Sequence, residues 1–422
     1  MFETALLTEI RNLFCHVDTC PYQGPRVFFE NAGGALTLKS VVEVSAQFAA
    51  IPDNQGRDNP AAHALVRIIE ASKADTRLFL GAATGQIFVG ESGTEMLFRL
   101  ARTAIVAAPA GGRVLGSTLE HPATRSACSQ WAEFAGREHV LVPHNLETAS
   151  VSADDYRPYI TPDTRVATII HTSPVSGMGV DVAAIAAAIR AVAPECYIIV
   201  DGVQHAAHGG LDIDSYDIDG YAISPYKVFS RHGYGMAWVS DRMSALSHER
   251  LNGSAATQWE LGTRDTGAYA TFSSVVAYFE WLGSHFTNSA DRREKIVAAG
   301  EAIHAHEAAL VNAMLHGTDG RPGLAEIPGV GIIGGIDNPL REGLVAMTIE
   351  GMPSAEVVSA LSAAGVRTHV RKNDYFSGNI LDPIGLESCI RVSMCHYNSP
   401  AEVAQFLSAV NEIAATAKAG VH

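Results

Sequence analysis

The chain has 422 residues, 47% of them hydrophobic and 18% charged, enough apolar material for large buried cores and too little charge for an intrinsically disordered protein. Its 30 Lys and Arg stand against 45 Asp and Glu, a net charge of −15. That argues against general binding to nucleic acid or to an anionic membrane, because both surfaces repel an acidic chain.

The opening segment MFETALLTEIRNLFC has no basic start and no long apolar run, so no signal peptide is expected. No stretch approaches the ~20 apolar residues that span a bilayer, and a soluble cytoplasmic protein is expected. From Gln86 onward short β-rich runs alternate with helical patterns. Strands are predicted at 86–89, 113–115, 140–142, 166–171, 197–200, 221–223 and 236–239, and helices at 94–106, 122–135 and 181–193. Such alternation implies crossover connections and a largely parallel sheet. The abundance of glycine (38 residues) suits the tight strand-to-helix turns of such an α/β enzyme.

The pattern changes after Gly262. A long helical stretch at 267–315, broken near Thr287–Asn288, is followed by Gly/Pro-rich turns, strands at 344–349 and 390–393, and helices at 354–364 and 401–417. The expected organisation is a large domain over 1–287 and a small C-terminal α+β domain over 288–422, with the N-terminal segment free to pack on the small one. The six cysteines (15, 20, 128, 196, 389 and 395) form no CxxC pair and read as reduced thiols. His205/His208 and His304/His306 lack partners at any zinc-like spacing, so no metal site is expected.

Four segments could carry chemistry. Phe88-Val-Gly-Glu-Ser-Gly-Thr-Glu95 runs from a strand into a helix. Such a turn offers free N–H groups to a phosphate, but Ser92 and Glu95 also fit an ordinary capping box. Ile198-Ile-Val-Asp-Gly-Val-Gln204 delivers Asp201 at a strand's carboxyl end, where ligands of open α/β sheets bind; an Asp-Gly turn is the plainer alternative. Lys227, in Ser-Pro-Tyr-Lys between two strands, fits a lysine that binds an aldehyde or a solvated loop lysine. Arg391 in Cys-Ile-Arg-Val-Ser fits a carboxylate clamp or an internal ion pair.

A phosphate site, an aspartate for a pyridinium nitrogen and a lysine for an aldehyde are together what pyridoxal phosphate requires. In this order FFENAGGAL, SGTE, LEHPAT, VDGVQHAAH, SPYK, WELGTRDTG and IRVSMCHYN resemble the class V aminotransferase and cysteine desulfurase group of fold type I pyridoxal-phosphate enzymes, from Phe28 to Val410. The resemblance implies a mostly parallel large-domain sheet and a small α+β domain. It implies that Lys227 binds the cofactor aldehyde and shuttles the Cα proton, that Asp201 pairs with the ring nitrogen, that Gln204 bonds the ring hydroxylate and that His121 stacks on the ring. Gly93, Thr94 and Ser224 would hold the phosphate. Gly262 and Thr263 would reach it from a neighbouring subunit, which implies a homodimer. Arg391 would bind the substrate α-carboxylate, with Asn31 nearby and Ser173 in place of the family's asparagine.

The segment 366–376 has no cysteine where desulfurases carry their nucleophile, and Tyr226 replaces the histidine before the lysine. The expectation is therefore an aminotransferase-type enzyme acting at Cα of a small amino acid, and not a cysteine desulfurase. Elimination of a β-substituent (a C–S lyase or kynureninase-like reaction) and epimerisation share the same carbanion and stay open. Loss of Lys227 or Asp201 would mark a non-catalytic relative; both are present. His369, Arg371, Lys372 and Tyr375, expected on a loop over the site, suggest a substrate with an acidic or polar distal group.

Overall fold

Seven strands form the central sheet of the computed structural model, which describes residues 1–419. They are β1 (Gln86–Gly90), β2 (Arg113–Ser117), β3 (Glu138–Val142), β4 (Thr164–Ile170), β5 (Tyr197–Asp201), β6 (Gly220–Ile223) and β7 (Gly235–Val239). The order across the sheet is β1-β7-β6-β5-β4-β2-β3. All neighbours are parallel except β7, which runs against both β1 and β6. Strands β6 and β7 are buried along their whole length. That is why they read as unbroken apolar runs: a sheet covered on both faces has no solvent side to encode.

The covering helices follow from capping and apolar periodicity. In chain order the helices are α1 (Thr4–Leu13), α2 (Lys39–Ala49), α3 (Pro60–Leu80), α4 (Gly93–Ala107), α5 (Pro122–Phe134), α6 (Val182–Val192), α7 (Thr266–Gly283), α8 (Arg292–His316), α9 (Ser354–Ala363) and α10 (Pro400–Ala419). Asn59 caps α3 by accepting from the Ala62 N–H at 2.8 Å, Pro60 occupies its first position and Gly81 ends it at φ +66°. Helices α4 and α5 pack with Phe88, Val114, Val166 and Trp259 in one core, while α3 and α7 pack with β1 and β5 in another. The alternation from 86 to 239 is as the sequence pattern predicts. Helices α1 to α3 are not anticipated by it.

The C-terminal region builds a second, antiparallel sheet from β8 (Val330–Ile332), β9 (Leu344–Ile349), β10 (His369–Lys372) and β11 (Ser388–Ser393), ordered β8-β9-β11-β10. Its core takes Leu310 and Met314 from α8, Val357 and Leu361 from α9, and Phe406 and Val410 from α10. It also takes Val27 and Phe29 from the N-terminal segment. Val27–Phe28 pairs in parallel with Val366–Arg367, and the Ser393 N–H donates to the Phe29 carbonyl at 2.8 Å. This pairing brings the Glu30–Asn31 turn to the end of β11. The 366–376 segment, expected as a loop, forms β10 over part of its length. An edge strand of charged residues, half exposed, lacks the apolar alternation that would reveal it. Among the described residues no helix is long and apolar enough to cross a membrane.

Helices α7 and α8 meet at Gly283, where a Cβ would lie 1.8 Å from the Lys295 carbonyl oxygen, a backbone atom that cannot swing aside. Gly283→Ala is expected to lower stability by about 1–3 kcal/mol, the usual cost of overpacking. Thermal unfolding checks it, and an unchanged Tm would mean that these helices do not pack this closely.

Candidate active site

Strand register aligns the ends of five strands. Gly90 pairs with Gly235, Ile223 with Met236, Asp201 with Ala222 and Ile170 with Asp201. The segments leaving these strands therefore enclose one cleft at the carboxyl edge of the sheet, the usual ligand position in open α/β folds. Its empty volume is about 420 Å³, and Thr94, His121, Thr172, Asp201, Gln204, Ser224, Tyr226 and Lys227 line it.

One end of the cleft suits a phosphate. Ser92 Oγ accepts from the Glu95 N–H at 3.1 Å, while the Glu95 carboxylate accepts from the Glu91 N–H, one residue before the cap, so the cap is real but the reciprocal half of a capping box is not formed. It coexists with an anion site, because a single cap leaves other first-turn N–H groups unpaired at the positive end of the helix dipole. A Cβ on Gly93 would fall 2.3 Å from Ser224 Oγ and 3.0 Å from Val203 Cγ2. Only glycine lets the helix start and the Ser224 hydroxyl close on a common ligand, and this cradle fits the phosphate of the implied cofactor.

Asp201 lies at the floor, 3% exposed. Its Oδ2 accepts from Thr124 Oγ1 at 3.2 Å and its Oδ1 from the Val203 N–H at 3.1 Å. Burial pushes its carboxyl up, while the Val203 N–H and Lys227 oppose the shift. A buried carboxylate with a ring nitrogen as partner keeps that nitrogen protonated. Lys227 leaves the turn after Ser224, and its Nζ donates to Gln204 Oε1 at 3.2 Å. Burial first, then Arg391 and Arg371, push its amine down to about 7 against the pull of Asp201. The lysine is thus partly neutral near pH 7, as an amine that attacks an aldehyde must be. His121 caps α5, accepting from the Ala123 N–H at 3.2 Å. Burial, with Lys227 and Arg371 behind it, pushes its imidazole down to about 3, so it is a neutral ring.

The opposite wall is cationic. Arg391 is 3% exposed and donates to the Pro174 carbonyl at 3.0 Å, yet its Nε is buried without a partner and it makes no ion pair among the described residues. Register sets His369 opposite Arg391 and Arg371 opposite Cys389. His369, Arg371 and Arg391 therefore project from one face of the small sheet. The Nε of Arg371 is also buried and unpaired. Arg391 is buried and Arg371 half-buried, and neither makes an ion pair among the described residues, an arrangement that suits an anion.

The other residues singled out from the sequence are placed differently. The Asn31 amide is occupied: it donates to the Ser393 carbonyl at 2.8 Å and accepts from the Tyr397 hydroxyl, so it fixes the turn beside Arg391. Ser173 is fully buried, with its Oγ accepting from the Val175 and Ser176 N–H groups. Gly262 and Thr263 are exposed on the single chain, with Gly262 at φ +72°. Cys389 is fully buried and burial pushes its thiol up to about 12, as befits a core residue. Sequence reasoning missed Thr124, although it lies in the quoted LEHPAT one helical turn beyond His121. It also missed that His208 meets Glu307 at 2.7 Å, since 99 residues separate them.

Comparison with known proteins follows this geometry. A family model described as aminotransferase class-V matches residues 27–406. The chain is similar to a nonribosomal peptide synthetase-like enzyme of Aspergillus fumigatus, 25% identical over 406 residues; these cover 93% of this chain but only 26% of that protein, so the chain spans about a quarter of that relative. It is similar to the cysteine desulfurase CsdA of Escherichia coli, 25% identical over 408 residues, covering 92% of this chain and 94% of CsdA. The crystal structure of that desulfurase matches with a TM-score of 0.78 at 22% identity over 98% of both chains. These relatives overturn the expectation that the chain is not a cysteine desulfurase. That exclusion rested on the absence of one thiol from the 366–376 segment. Against that single absence, relatives similar over 92% of the chain carry the desulfurase name.

Only the neutral amine adds to an aldehyde. The rate at which the apoprotein takes up pyridoxal phosphate is therefore expected to rise with pH through a midpoint near 7, set by Lys227. Arg371→Ala should move that midpoint upward, because a cation that depresses the amine is removed. Stopped-flow absorbance checks both; a midpoint near 10 in the unaltered protein would contradict the geometry.

Proposed function

We propose, from the premise that the chain belongs to the class-V aminotransferase family, that it is a pyridoxal-phosphate-dependent lyase of cysteine-desulfurase type that cleaves the Cβ–S bond of cysteine or a close analogue. The observation that carries this reading is the buried Lys227 amine in the cleft, with Arg391, which makes no ion pair among the described residues, bordering the cleft through the Pro174 carbonyl. This places an amino acid's carboxylate and its Cα proton within reach of complementary groups.

Pyridoxal 5'-phosphate, the cofactor of this family, supplies an electron sink for charge developing at Cα. Gly93, Thr94 and Ser224 would hold its phosphate, Asp201 would keep the ring nitrogen protonated and His121 would lie against the ring. Arg391 fixes the substrate carboxylate in the buried wall. Lys227 removes the Cα proton and delivers protons to the product, a role suited to a group that titrates near neutrality. Arg371 attracts the acceptor thiolate, whose attack on the substrate sulfur breaks the Cβ–S bond and leaves its electron pair on Cβ, where a proton is added. Cys389 and Cys395 do not receive that sulfur: both are buried, and burial pushes both thiols up. The acceptor is a separate thiol, so that cysteine and thiol become alanine and a persulfide. The exposed Gly262–Thr263 turn reaches the phosphate of a second copy, making the working unit a homodimer.

The test is to supply L-cysteine and an external thiol with and without a 2-oxo acid. Alanine and persulfide in equal amounts, independent of the 2-oxo acid, are expected. Amino transfer that requires the 2-oxo acid, without sulfur release, would contradict the lyase. Arg391→Ala is expected to reduce kcat/KM by roughly ten- to a hundredfold, the worth of a charge-assisted hydrogen bond; the variant's steady-state kinetics check it.

A further inference from the structure

Beneath the cleft a hydrogen-bonded chain leads from Lys227 into the C-terminal half of the protein. Lys227 Nζ donates to Gln204 Oε1 at 3.2 Å, Gln204 Nε2 lies 3.3 Å from His208 Nε2, and His208 Nδ1 lies 2.7 Å from Glu307 Oε2 on α8. Gln204, His208 and Glu307 are all buried. The polarity of this chain is constrained at both ends. A protonated lysine only donates, so it requires the amide oxygen. Burial pushes the Glu307 carboxyl up and His208 pulls it down; ionised, it accepts from Nδ1–H, which leaves His208 Nε2 as the acceptor for the amide N–H. If His208 carries a second proton on Nε2, the amide must turn over: its oxygen then faces His208, and its N–H groups face the cleft. Amide and imidazole form one two-state element.

The surroundings of His208 favour its second proton. Burial opposes the charge, but Glu307 outweighs it and the imidazole is pushed up overall. Glu342 adds in the same direction and Lys227 opposes. The neighbouring His396 is buried and pushed well down, so it brings no competing charge. The Cys395 thiol beside the pair is likewise held protonated by burial. The ligand atoms of His208, Glu307 and Cys395 lie within 4.8 Å of one another. The 2.7 Å between Nδ1 and Oε2 is nevertheless a direct hydrogen bond, shorter than the roughly 3.3 Å between two ligand atoms around tetrahedral zinc. The cluster is read as a proton-bearing pair.

We propose that His208, anchored by Glu307, is a positioning residue that sets the orientation of the Gln204 amide: oxygen toward the lysine when the amine is free, N–H toward the ring oxygen of the cofactor when the amine is engaged. It rests on the reading of Lys227 as the cofactor-binding lysine. When the amine binds the aldehyde its ammonium protons leave the cleft, the opposing charge on His208 is removed, and the imidazolium–carboxylate pair becomes the favoured state. The amide then donates to the ring oxygen, which draws electron density from the ring and lowers the pH at which the bound cofactor loses its proton. Glu307 thus acts on the cofactor through two intervening residues without touching it.

The test is the pH titration of the visible absorbance band of the protein reconstituted with pyridoxal phosphate, for the unaltered chain, Gln204→Ala, Glu307→Gln, His208→Gln and the double variants. Each single change is expected to raise the midpoint by roughly half a unit to one unit, the worth of one hydrogen bond. Each double variant should shift no further than Gln204→Ala alone, because all three residues act through the same bond. Either Glu307→Gln or His208→Gln suffices, so one variant that fails to fold does not remove the test. Shifts that add, or a midpoint unmoved in both partner variants, would overturn the proposal while leaving the site reading intact. A reconstituted wild type with no visible band would instead overturn the site reading.

Discussion

Removing one amine from water while setting two guanidinium groups against it is the constraint on which the rest of the site depends. An ammonium in that position is expensive, because burial and the fields of Arg391 and Arg371 all disfavour its charge, and the single carboxylate of Asp201 offsets only part of that cost. The protein escapes the cost by letting Lys227 share its proton near neutrality. The fold then has to keep the arginines themselves in place without an ion pair to satisfy them. It does so by placing them on adjacent strands of a sheet whose other neighbours are packed solid, with backbone carbonyls such as that of Pro174 accepting what their hydrogens can reach.

This division of labour explains the two-part architecture. The parallel sheet supplies groups at strand ends: a helix start for an anion, a carboxylate, a lysine. The antiparallel sheet supplies cations from the middle of strands, where register fixes which face they share. The N-terminal segment joins the two, since Val27–Phe28 extends the small sheet's side while the Glu30–Asn31 turn abuts β11. Arg367 and His369 pair with Glu30 there, at 2.7 Å and 3.3 Å. Arg371 and Arg391 make no such pair among the described residues, although the Glu30 carboxylate also acts on Arg391 through space.

The central sheet was legible because buried parallel strands and capped helices write their periods plainly. Asp201 stood out because it ends an apolar strand, and Lys227 because it lies in the turn that leaves one. The strand His369–Lys372 was not legible, since an edge strand with charges on both faces carries no alternation. Nor was the His208–Glu307 pair, because spacing rules see only neighbours in sequence and the fold joins a turn after β5 to the middle of α8. The strongest misreading came from weighing one absent cysteine against a whole cleft. One absent residue is weak ground for an exclusion when relatives similar over 92% of the chain carry the desulfurase name.

The account stands on Lys227 being the amine that holds the cofactor. Its most direct measurement is borohydride reduction of the reconstituted protein followed by peptide mass spectrometry. One pyridoxyl phosphate per chain, on the peptide containing Lys227, is the predicted result. A label spread over other lysines, with the Lys227 peptide unmodified, would contradict it.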